Sequence, residues 1–102
     1  MSPVHTPDYE LPPHLDTRTA PVLHAALAAH AGSDLTLDGG AVERVGGLCL
    51  QVIAAAEAHW QAEGGSLSLH APSQAFVDGM DRLGATELLN RLTGEHQEET
   101  GQ

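Results

Sequence analysis

The chain has no lysine and only four arginines, Arg18, Arg44, Arg82 and Arg91, against fourteen acidic residues, for a formal net charge of -10 over 102 residues. Nucleic acids and anionic membranes are gripped by Lys and Arg that neutralise phosphates, so both are set aside as partners. A single cysteine, Cys49, excludes an internal disulfide framework and a Cys-rich zinc cluster, and suits a reducing compartment. Aromatics are down to Tyr9, Trp60 and Phe76, so the core has to be built from Leu, Val, Ile and Ala. No apolar run approaches the ~18 residues of a membrane span. The opening MSPVH has neither the basic nor the apolar region of a signal peptide. These absences predict a cytoplasmic protein without membrane insertion. With 41 % apolar residues the chain suffices for one domain.

Residues 1–8 carry two prolines and no periodicity, and read as a flexible lead-in. Tyr9, Glu10 and Leu11 form a short strand that Pro12-Pro13 stops, since proline donates no ladder hydrogen bond. Asp16 or Thr17 can cap a helix with Pro21 in its first turn, with Val22, Leu23, Ala26, Leu27 and His30 at helical spacing, ended by Gly32. Leu35 and Leu37 alternate with polar neighbours as a strand closed by Gly39-Gly40, and Val42 and Val45 anchor the loop beyond. Gly46-Gly47 opens the longest helix, from about residue 48 to 63, with one face traced by Leu48, Val52, Ala55, Ala56, His59 and Trp60 and widened by Leu50 and Ile53. Its apolar first half predicts a sandwiched helix. A strand at 66–70, a helix opened by Pro72-Ser73 with Phe76, Val77, Met80 and Leu83 inward, and a short helix from 86 to about 92 complete the domain at 9–93. Residues 94–102 are polar and read as a disordered acidic tail. Strands alternating with helices predict the α/β class, a small mixed sheet of about four strands flanked by helices.

No active site assembles from these residues. The seven histidines lack metal-ligand spacing, and His24 and His30 fall on different faces of one helix. Cys49, in the first turn of the long helix, would gain acidity from the helix dipole but has no partner cysteine, and a small buried side chain is the expected role. Gly46-Gly47 offers free N–H groups to an anion, without the lysine of a phosphate loop; a plain turn is the alternative. Asp38 has no nucleophile or base beside it in sequence. No enzyme, metal or cofactor is expected.

Five segments in order resemble the STAS domain, the fold of bacterial anti-sigma factor antagonists: LDTRTAPVL at 15–23, LTLD at 35–38, VERVGGLCLQVI at 42–53, LSLHAPS at 67–73 and the stretch from Phe76 to Leu89. The resemblance implies a non-catalytic interaction module of a bacterial signalling system. Family members typically read Asp-Ser-x-Gly-Leu before the long helix, and a partner kinase phosphorylates that serine, whose added charge breaks docking. This chain departs there. Depending on how the loop is anchored, Gly47 or Gly46 occupies the serine position, and no Ser, Thr or Tyr lies between Thr36 and Ser66. No phosphoacceptor is therefore expected, and Glu43, Arg44, Val45, Gly46, Gly47, Leu48 and Cys49 are expected to form a constitutive docking face.

The leading partner is a signalling protein, a histidine kinase of the chemotaxis type or an anti-sigma factor. Alternatives are an accessory role beside a lipid-transport ABC ATPase and a small-ligand or nucleotide sensor at Gly46-Gly47. Oligomeric state stays open, as does whether Trp60 is core or contact.

Overall fold

The computed structural model describes residues 8–94. The proposed acidic tail, apart from Gly94, and the lead-in, apart from Asp8, lie outside the described residues. The order is β1 (Tyr9–Glu10), β2 (His14–Leu15), α1 (Ala20–Ala29), β3 (Leu35–Asp38), β4 (Arg44–Val45), α2 (Gly47–Ala62), β5 (Leu67–His70), α3 (Gln74–Arg82) and α4 (Thr86–Thr93). The expected α/β class is what is found, and its strands sort into two ladders. One is three-stranded in the order β1-β3-β5, the other pairs β2 with β4, and every pairing is parallel. Register sets Tyr9 beside Leu37 and Leu37 beside Leu69, so the leucines of β3 and β5 share one face. That face meets the buried stripes of the helices, Leu23 and Leu27 of α1, Ile53 and Trp60 of α2, Phe76 and Met80 of α3 and Leu88, Leu89 and Leu92 of α4.

Strands β2 and β4 stand where the sequence reads only a proline stop and a loop. Two-residue ladders carry no periodic signal. They form because Pro13 still offers its carbonyl, which accepts from the N–H of Glu43 at 2.7 Å and of Arg44 at 3.1 Å. Proline lacks a donor, not an acceptor. The N-cap of α1 is Thr19, with no side-chain cap, rather than the expected Asp16 or Thr17; Asp16 instead closes the turn before the helix. Its Oδ1 accepts from the N–H of Arg18 and Thr19 while its own N–H donates to Thr19 Oγ1, a reciprocal exchange of the capping-box kind. At α3 the expected Ser73 is the N-cap and accepts from Phe76 N–H at 3.0 Å.

The inner face of α2 differs from the expected one. Cys49, Ile53, Glu57 and Trp60 point inward, while Leu48, Ala55 and His59 are exposed and Val52 and Ala56 only half-buried. α2 is therefore covered on one side rather than sandwiched. The charge at position 57 hides the true stripe, because a lone carboxylate is costly to bury. Here it is met: Glu57 accepts from Gln61 Nε2 at 2.7 Å and from Arg91 Nε at 3.3 Å, which ties α2 to α4. Trp60 is core, and its Nε1–H donates to the Ser33 carbonyl at 2.7 Å, fastening the end of α2 to the α1–β3 turn. Val22 and Leu83, expected inward, are 60 % and 41 % exposed.

Candidate functional site

The start of α2 is assembled from three places in the chain. β2 and β4 run side by side, with Leu15 beside Val45, so the turn after β2 and the loop after β4 reach the same edge. Gly46 donates its N–H to the Leu15 carbonyl at 2.8 Å. A Cβ on Gly46 would stand 3.2 Å from that same oxygen, so the close approach of two backbones explains this glycine. Gly47 is different. It is exposed, lies in the first turn of α2, and a Cβ there would meet nothing within 4 Å. No steric demand of the fold selects glycine at 47.

Beneath the helix start lies a polar latch that the sequence did not reveal. Cys49 is fully buried and its thiol donates to the Asp16 carbonyl at 3.2 Å, with Thr19 Oγ1 3.6 Å away. Thr19 Oγ1 also contacts the His14 carbonyl at 2.9 Å, so β2, the turn before α1 and α2 meet at one point. The partners are thirty or more residues apart in sequence, which is why no local pattern announces them. Burial pushes the Cys49 thiol up, against the Thr19 hydrogen bond and together with the nearby Asp16 charge. The helix dipole does not make this cysteine a reactive thiolate. The Thr19 N–H holds the Asp16 carboxyl below the ordinary range, aided by the Arg18 N–H and charge against a desolvation that raises it.

Of the seven residues expected on the docking face, two do not reach it. Cys49 is enclosed, and Val45 packs against α3, where a Cβ on Gly79 would come within 3.2 Å of the Val45 side chain. Glu43, Arg44, Gly47 and Leu48 are exposed, Leu48 at 47 %, and Gly46 is half-buried. His14 joins them as an unforeseen neighbour, its Nε2 lying 3.4 Å from Glu43 Oε1 on the rim. No side chain caps the N-terminus of α2. The surface at this helix start is thus low, uncharged at its centre and bordered by Glu43 and Arg44. Asp38, the carboxylate noted at a strand end, accepts from Gly40 N–H at 2.9 Å and serves the turn. Among the described residues no three His, Cys, Asp or Glu side chains cluster as a metal site would require, and no helix is long and apolar enough to cross a membrane.

No curated protein matches the chain. A family model does, the one described as "Mlab, STAS domain", over residues 5–91. That span takes in both ladders and all but the last residues of α4. Parallel strands flanked by four helices, an open helix start after β4 and this match agree, and the chain belongs to the STAS domain family.

Proposed function

We propose that this protein is a constitutive docking module of a bacterial signalling system, acting in the cytoplasm on a histidine kinase of the chemotaxis type or an anti-sigma factor. STAS domains generally mediate protein–protein interaction and are generally non-catalytic. The observation that carries the proposal is Gly47, exposed at the start of α2 with open space around its Cα. Glycine in the first turn of a helix is intrinsically unfavourable. A residue kept there without steric need fits a surface on which a partner's backbone comes close. With no Ser, Thr or Tyr between Thr36 and Ser66, the loop after β4 and the first turns of α2 offer no hydroxyl to a kinase. Regulation then resides in the partner.

Affinity capture with the full chain tests this directly. A kinase or anti-sigma factor should be retained, and Gly47→Asp should abolish retention by placing charge at the contact. Retention unchanged by Gly47→Asp would move the interface elsewhere. Incubation with an anti-sigma kinase and ATP should leave residues 39–50 unlabelled. The Mlab description of the family favours a second reading, an accessory subunit of a lipid-transport ABC ATPase. Capture of a nucleotide-binding ATPase subunit in place of a signalling protein would select it.

A further inference from the structure

Helices α1 and α2 pack side by side and leave a groove of about 300 Å³ between them, lined by His24, Leu27 and Ala28 of one and Val52, Ala55 and His59 of the other. Of the apolar face the sequence marks most plainly on α2, Val52, Ala55, Ala56, His59 and Trp60 line this groove, and Val52, Ala56 and Trp60 reach the core beneath it. α1 goes further. Of its six exposed residues five are apolar, Pro21, Val22, Ala25, Ala28 and Ala29, and the sixth is His24. Surface helices normally turn a charged or polar face to water.

Charge says what covers this layer. No acidic residue or arginine falls in 19–33 or 45–56, the two stretches that build α1 and most of α2; the other long run without charge, 64–77, builds β5 and the start of α3. In a two-fold pair each residue near the axis meets its own copy, so a carboxylate there always meets a carboxylate. A partner of opposite charge could complement an acidic surface. A second copy of a chain at -10 cannot, and needs a face without charge. We infer that the α1–α2 layer is a self-association face, on which two copies stack their helix pairs about a two-fold axis, closing the groove with small alanine surfaces.

Sedimentation equilibrium on the full chain tests it. The expected result is a concentration-dependent rise from 10.7 kDa to twice that mass, with Ala55→Glu and, independently on α1, Ala28→Glu each returning the chain to a single mass. Both positions are exposed, so circular dichroism should be unchanged by either substitution. A single mass up to millimolar concentration would overturn the inference and leave the layer to a different protein. A doubled mass that survives both substitutions with the fold intact would overturn it as well. Because Gly47 lies outside the groove, Gly47→Asp should leave self-association unchanged, which separates this face from the proposed docking face.

Discussion

Adjacent glycines at the start of α2 have opposite reasons for being small. Gly46 is confined by the Leu15 carbonyl, whereas Gly47 is bounded by nothing. Gly46→Ala should therefore cost about 1–2 kcal/mol from overpacking against rigid backbone, while Gly47→Ser should be neutral or stabilising by at most about 0.5 kcal/mol. Chemical denaturation of the two variants reads the contrast; equal losses would mean that Gly47 too is a structural residue. The latch beneath them sets two pH limits of opposite sign. Asp16 titrates lower when folded, so the stability it contributes is present above its unfolded pKa and is lost as pH falls through the folded value. Cys49 titrates higher when folded, so stability holds below its unfolded pKa and declines as pH rises through the folded one. Urea titrations across pH should show the alkaline decline vanish in Cys49→Ala, and a thiol reagent should leave the folded native chain unmodified.

At the scale of elements, α2 and α4 are held by a carboxylate that the sequence argues against burying. Arg91→Ala would leave Glu57 with Gln61 as its remaining hydrogen-bond partner in this network, at a cost of about 1–2 kcal/mol given that Arg91 is itself partly exposed. Thermal unfolding should show the loss, and Arg91→Lys should recover only part of it, because one ammonium replaces a two-pronged contact. Glu57 also marks the limit of what was legible. The alternation in β3 and β5, the Ser73 cap and the glycine stops of the helices are local signals, and each element they announce is present. The inner face of α2 was misplaced by about one residue in phase, since its true stripe contains a charge whose partner sits 34 residues away. For the segment 43–49, proposed as a docking face, the sequence did not reveal the depth of each residue. Burial of Val45 and Cys49 depends on α3 and on the turn before α1, neither adjacent in sequence. Strands β2 and β4 had no signal to read, because a two-residue ladder is specified by its partner alone.

For the whole molecule the dominant electrostatic term is self-repulsion. Fourteen acidic residues against four arginines raise the energy of any compact state, and salt screens that repulsion within a Debye length of about 8 Å at physiological ionic strength. The melting temperature should therefore rise as sodium chloride is added from low ionic strength, reported by calorimetry. A fall would assign net stabilisation to the Glu57–Arg91 and His14–Glu43 contacts over the global charge. The arrangement of the strands carries a different consequence. Every pairing is parallel, and β1, β3 and β5 lie about thirty residues apart along the chain, so none can meet its neighbour through a hairpin. High contact order of this kind slows folding, since loop closure precedes any reward. On the ribosome the nascent chain presents one unpaired edge of β3 throughout synthesis of α2, until β5 emerges to cover it. That interval is when the newborn protein is most open to aggregation through its strand edge.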